Sequence, residues 1–243
     1  MRASSKSIWA IENIMLSISN LNVGYDESLV IHDVSFDVPD GSATAIVGRN
    51  GMGKSTLLKA LVGMIPASNG SIKLDNQELI KLPSFKRVQA GVAFVPQGRM
   101  IFPHLTVEEN ILSGLETKRY EAIPAFIYAF FPVLHAMRGR RGGNLSGGQQ
   151  QQLAIARALV SKPRVLILDE PTEGIQPSII KEIAHSLNAL RKELGVAVLV
   201  SEQVLSFAME VADQLLVIDR GRIVRTTAKS NVDLEEVRSF LTV

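Results

Sequence analysis

Residues 48–56 read Gly48-Arg49-Asn50-Gly51-Met52-Gly53-Lys54-Ser55-Thr56, which fits the spacing G-x-x-x-x-G-K-[ST]. In that pattern backbone N–H groups surround phosphates, the lysine reaches the β- and γ-phosphates and the next hydroxyl ligates Mg²⁺. Gly48, Gly51 and Gly53 let the amides turn toward one anion, Lys54 anchors charge, Ser55 is the magnesium ligand and Thr56 adds a hydroxyl on the phosphate side. A second group follows the apolar run Val165-Leu166-Ile167-Leu168, which ends in Asp169-Glu170. Carboxylates at the C-terminal tip of a parallel strand stand on the ligand edge of an open sheet. Asp169 is therefore expected to hold Mg²⁺ or its waters, and Glu170 to orient and deprotonate water beside a γ-phosphate. A third group, Leu145-Ser146-Gly147-Gly148-Gln149, opens a helical stretch and is another anion cradle. One chain thus carries two phosphate-binding surfaces.

These residues need elements to position them. The apolar strand 43–47 runs into the glycine loop, and 55–62 carries Leu57, Leu58, Ala60 and Leu61 as a helix, so the loop has the strand–loop–helix context it requires. Shorter β-like stretches occupy 16–21 and 34–38, followed by a turn at Pro39-Asp40-Gly41. Asn69-Gly70 reads as a turn leading to a strand at 71–74, and 92–95 is a further buried strand. From Thr106 to Ala158 the pattern is mainly helical, and Glu108 and Glu109 after Thr106 mark a helix start. The solid apolar runs 165–168 and 196–200 suit parallel strands covered on both faces, with an amphipathic helix at 178–194 between them. The expectation is an α/β core carrying a helical insertion.

Composition narrows the class. The 243 residues are 46% hydrophobic and 21% charged, an ordinary globular balance, and the net charge of +2 is too mild for an electrostatic grip on nucleic acid. Cysteine is absent, which excludes disulfides, thiolate catalysis and Cys-based metal sites. No apolar run approaches the ~20 residues that span a bilayer; the best candidate, 122–134, is broken by Pro124 and Pro132. At a membrane, other chains must supply the spanning helices. Residues 8–16 are interrupted by Glu12 and Asn13 and read poorly as a signal peptide. Met15 stands before strand-like residues and reads as a natural start, which leaves 1–14 as an ill-ordered extension, 15–243 as one domain and about 98–158 as its helical insertion.

The string LSGGQ, in this order after a matching phosphate loop, resembles the ATP-binding cassette family, and the likeness runs from about Leu16 to Ile223. It implies a mostly parallel α/β core with an N-terminal antiparallel β-subdomain and a helical signature subdomain. It also implies ATP and Mg²⁺ as ligands and a head-to-tail dimer with a second cassette or with itself, in which Ser146, Gly147, Gly148 and Gln149 contact the γ-phosphate held by the opposite subunit. Residues 48–56, including Arg49, Asn50 and Met52, would cradle the phosphates, and Tyr25 lies where the family stacks an aromatic on adenine. Gln97 matches the loop that touches Mg²⁺ and the attacking water, beside Ser55 and Asp169 as metal ligands. Lys54, Glu170 and Gln203 would neutralise phosphate, polarise water and sense the γ-phosphate.

Two positions depart from the family pattern. Gln203 in Ser201-Glu202-Gln203 stands where histidine is usual, judged by its spacing from Ala212-Asp213, and Gln176 stands where aspartate is common. Glutamine donates a hydrogen bond to phosphate but carries no positive charge near neutral pH. Glu-Gln at the switch resembles one of the two ATPases of branched-chain amino acid and urea or amide importers. The strings at 131–134, 138–143 and 169–178 look closest to the urea-type member. Such a subunit works on the cytoplasmic face of the membrane with two permease subunits and, indirectly, an extracytoplasmic solute-binding protein. Within Phe126, Ile127, Tyr128, Phe130 and Phe131 most side chains are expected in the core, with an exposed minority forming a permease-docking groove. The Arg138–Arg141 cluster is either a support for signature or permease contacts or a solvated basic loop. A branched-chain amino acid importer, a weakly hydrolysing regulatory module and a soluble non-transport ATPase of the same family remain as alternatives.

Overall fold

The computed structural model describes residues 14–25, 28–115 and 122–241. Apart from Ile14, the expected N-terminal extension lies outside them. The chain opens with β1 (Ile14–Tyr25), β2 (Ser28–Pro39) and β3 (Ala43–Val47), then α1 (Lys54–Leu61), β4 (Ala67–Leu74), β5 (Gln77–Glu78), α2 (Ser84–Ala90) and β6 (Val92–Val95). Helices α3 (Val107–Leu112), α4 (Ala125–Phe130), α5 (Pro132–Ala136) and α6 (Gly147–Leu159) follow. The remainder alternates as β7 (Val165–Asp169), α7 (Pro177–Leu194), β8 (Ala197–Glu202), α8 (Leu205–Val211), β9 (Gln214–Asp219), β10 (Arg222–Ala228) and α9 (Leu234–Leu241).

Among the described residues the strands form two sheets. One is antiparallel, in the order β2-β1-β4-β5; the other runs β10-β9-β3-β8-β7-β6, with β3, β6, β7, β8 and β9 parallel and β10 antiparallel at the edge. This is the α/β architecture with an antiparallel β-subdomain that the sequence led us to expect. The unbroken apolar runs have a direct cause. On β7, Val165 and Ile167 face a core shared with the antiparallel sheet, whereas Leu166 and Leu168 face a core shared with the helices of residues 107–159. Strand β8 divides its side chains in the same way, with Ala197 and Leu199 on one side and Val198 and Val200 on the other. Helix α1 lies in the first core and buries Leu57, Leu58 and Leu61, each contributing roughly 1.5–3 kcal/mol.

Several local expectations change. Asn69-Gly70 is not a turn before a strand but lies within β4, at a break in the register between Ser19/Ser71 and Asn22/Asn69. Gly70 has φ +109°, and a Cβ there would stand 2.7 Å from Leu21 Cα, so the bulge needs glycine. Strands β1 and β2 extend well beyond 16–21 and 34–38, and β9, β10 and α9 complete the chain beyond the elements read from sequence. The helix start at Thr106 is a full capping box: its hydroxyl accepts from Glu109 N while the Glu109 carboxylate accepts from Thr106 N.

Candidate functional site

Strand β3 ends at Val47 and the glycine loop begins at once. Gly53 caps α1 with φ 101°, a left-handed conformation that side chains resist, and no side chain caps the helix start. The first N–H groups of α1 are thereby left for a ligand. The loop is braced from the turn between β9 and β10, where Gly221 N donates to Met52 O at 3.0 Å and Arg220 N to Met52 Sδ at 3.4 Å. Lys54 is buried; its Nζ donates to Gly48 O at 2.7 Å and Arg49 O at 3.1 Å, and lies 3.1 Å from Glu170 Oε1. Gly51, Ser55 and Thr56 line the same cavity of about 230 Å³ as Asn50, Lys54, Gln97 and Glu170.

The parallel strands deliver the polar groups facing this loop. Asp169 Oδ1 accepts from Ser55 Oγ at 3.1 Å and Ser201 Oγ at 2.6 Å, while its Oδ2 is buried with no hydrogen-bond partner. An orphaned carboxylate oxygen beside a hydroxyl is the donor set a hard divalent cation takes, so these residues fit Mg²⁺. Glu170 has φ +47°, held by bonds from its own N–H to Ser201 O at 3.1 Å and Ser201 Oγ at 3.2 Å. Its carboxylate also accepts from Gln203 Nε2 at 3.0 Å and Gln97 Nε2 at 3.4 Å. Gln203 Nε2 reaches across to Asn50 Oδ1 at 2.7 Å. Loops after β3, β6, β7 and β8 therefore converge on one point at the carboxyl ends of the sheet.

Two residues of this neighbourhood entered the sequence reading only as neighbours of Gln203, with no site role of their own. Ser201 links Asp169 to the Glu170 backbone, and buried Glu202 accepts from Thr172 N at 3.1 Å, Gln203 N at 3.0 Å and Val204 N at 3.2 Å. The signal available was a polar triplet, Ser201-Glu202-Gln203, ending an otherwise apolar run. Burial pushes the Glu202 carboxyl above its ordinary value of 4.5, against the opposing pull of its bonds from Thr172, Val204 and Gln203. The folded chain then binds more protons here than the unfolded one at pH values from 4.5 up to the raised value, so this group's contribution to stability falls as pH rises through that window. Relative to Glu202→Gln, the parent is expected to lose stability across it at up to about 1.4 kcal/mol per pH unit. Urea unfolding of both proteins over a pH series measures this; a pH-independent difference refutes it.

Other expected site residues lie apart. Ser146 caps α6 in a box with Gln149: the hydroxyl accepts from Gln149 N at 3.4 Å and Gln149 Oε1 accepts from Ser146 N at 3.0 Å. Neither these two nor Gly147 and Gly148 line the cavity of their own chain. Tyr25 is half-exposed at the end of β1, also outside the cavity lining. The aromatic stretch is core: Ile127 and Phe131 are buried, and Phe126, Tyr128 and Phe130 pack against the same cluster. Exposed apolar surface instead gathers at Val88, Met100 and Phe102, which line a groove of about 350 Å³ beside Arg157. Arg138, Arg140 and Arg141 are exposed.

Comparison with known proteins gives the same picture. A family model described as ABC transporter matches residues 31–173. The chain is 42% identical over 213 residues to the high-affinity branched-chain amino acid transport ATP-binding protein BraG of Pseudomonas aeruginosa, covering 86% of this chain and 91% of that one. It is 40% identical over 212 residues to the probable branched-chain amino acid transport ATP-binding protein LivF of Archaeoglobus fulgidus, covering 86% and 90%. Among solved structures, a nucleotide-free ATP-binding cassette from an ABC transporter has a TM-score of 0.78 at 26% identity, over 94% of this chain and 95% of that one. Sequence and backbone agree along nearly the whole described length, and the chain belongs to the ABC transporter family, among the cassettes that bind and hydrolyse ATP.

Proposed function

We propose that the chain is the ATP-hydrolysing subunit of an importer, and that the solute is urea or a short amide. The observation that carries the ATPase part is that Lys54, Gln97 and Glu170 line one cavity, with Asp169 bonded to Ser55 and Gln203 bonded to Glu170 and Asn50 at its edge. Lys54 neutralises phosphate charge, and its present bonds to loop carbonyls and Glu170 are those a triphosphate competes with. Ser55, Asp169 and Gln97 would hold Mg²⁺, which would offset charge on the terminal phosphates. Glu170 accepts the proton of the attacking water as its oxygen bonds to the γ-phosphorus and the bond to the leaving ADP oxygen breaks. Gln203, whose two amide N–H groups are bonded to Glu170 and Asn50, exchanges one of those bonds for the γ-phosphate. Tyr25 stacks on adenine, and Arg49, Met52 and Thr56 complete the loop.

Ser146, Gly147, Gly148 and Gln149 act on ATP bound by a second cassette, either another copy or a sister ATPase, in a head-to-tail pair. Their place outside their own cavity supports that reading. Residues 15–243 form one domain, with the helical segment inserted between β6 and β7, strands that pair directly with each other. No described helix is long and apolar enough to cross a membrane. In this reading two permease subunits hold the chain at the cytoplasmic face, and the naming of BraG and LivF as transport ATP-binding proteins supports it. The groove at Val88, Met100 and Phe102, rather than the aromatic stretch, is the permease-facing surface.

The strings at 131–134, 138–143 and 169–178 support urea or an amide; the likeness to BraG and LivF favours branched-chain amino acids as the second reading. Uptake of labelled urea and labelled leucine in cells lacking only this chain separates them. Loss of urea uptake alone is the expected result. Loss of leucine uptake alone overturns the solute, and unchanged uptake of both overturns transport of either.

A further inference from the structure

Gln97 touches Glu170, and two residues further on the chain does something the reaction so far does not use. Arg99 and Met100 both adopt left-handed backbone, with φ 67° and 46°, a conformation that persists only where the surroundings hold it. The half-buried Arg99 side chain is held at two ends. Its Nη2 donates to Glu173 O at 3.0 Å, in the loop that follows Glu170, and its Nη1 lies 3.5 Å from Gln150 Oε1 on α6. The guanidinium also fills the space beside two glycines: a Cβ on Gly147 would stand 3.3 Å from Nη1, and one on Gly174 3.7 Å from Nη2. The bond returns from α6 as well, since Arg157 Nη2 donates to Arg99 O at 3.1 Å. A flat, two-sided donor suits such a position because it satisfies acceptors on two elements at once.

We infer that Arg99 is a positioning residue that fixes the start of α6, with Ser146 and Gly147, against the loops carrying Gln97 and Glu170, so that a chain's own hydrolytic residues and the surface it offers to the opposite ATP move together. The inference rests on the two-cassette reading given above. Arg99 does not line the phosphate cavity, so its loss should spare the first binding of ATP and weaken pairing.

The test uses the full chain carrying Glu170→Gln, alone and mixed with the transporter's second cassette, followed by ultracentrifugation over an ATP series. With Arg99→Met added, affinity of the unpaired chain for a fluorescent ATP analogue stays within about twofold, while ATP-driven pairing weakens by about threefold to thirtyfold. Arg99→Lys keeps the charge and one acceptor but not the fork, and restores only part of the loss. Should Arg99→Met fail to fold, a partial pairing defect in Arg99→Lys with an unchanged melting temperature still supports the inference. Full pairing by either variant, or an equal loss of analogue affinity and pairing, overturns it. A parent that never pairs with ATP in either setting sinks the two-cassette reading and the inference with it; a parent that pairs while both variants match it sinks the inference alone.

Discussion

Replacing Glu170 by glutamine is expected to leave ATP bound while lowering hydrolysis by about 10²–10⁴-fold. The carboxylate receives donors from Lys54, Gln203 and Gln97. An amide of the same shape keeps its oxygen toward Lys54 and Gln203 and turns its NH₂ toward Gln97, whose own amide can present its oxygen in return. What is lost is the ability to take a proton from water. Phosphate release and retained ATP, measured on the same preparation, check both halves of the expectation. Near-normal turnover would reject Glu170 as the base. A parent that itself binds ATP tightly yet turns over no faster than the variant would point instead to a regulatory module, the reading that the uncharged Gln203 keeps open.

Lys54→Met acts on the other half, and is expected to weaken ATP binding rather than turnover of what is bound. The ammonium is enclosed by Gly48 O, Arg49 O and Glu170. In the ATP complex that ammonium pairs with phosphate instead, and truncating one partner of a buried charge pair across a binding interface costs about 2–5 kcal/mol, so ATP affinity should fall by about thirtyfold or more. Calorimetric titration with a non-hydrolysable ATP analogue reads the effect directly. An affinity within threefold of the parent would show that the phosphates are held by backbone N–H groups alone.

Which features were legible in the sequence follows from the range over which their causes act. The glycine loop is a local demand, since residues 48–56 specify their own backbone and the flanking apolar strand and helix need no distant partner to be recognised. The apolar runs of β7 and β8 were legible because each strand serves two cores and has no polar face to interrupt it. Asn69-Gly70 misled because a turn and a bulge ask the same local question, a residue with positive φ, and only the close approach of Leu21 tells them apart. In the 126–131 stretch, helical spacing of aromatics marked most side chains as core, but which of them are covered is decided by packing against α5 and α7. The roles of Arg99 and Glu202 were not legible for another reason. Several of their partners are backbone groups, Glu173 O, Thr172 N and Val204 N, which carry no side-chain identity into the sequence.

The capping box at Ser146 bears on the kinetics of pairing. The Ser146 hydroxyl accepts from Gln149 N, which uses a lone pair and leaves its proton uncommitted. An incoming phosphoryl oxygen can therefore accept that proton without breaking any bond already made. On the two-cassette reading proposed above, the capping box has already ordered this helix start before contact, so little ordering entropy is spent on docking. Association of two ATP-loaded cassettes should then be governed by diffusion and orientation rather than by a slow rearrangement of the helix end.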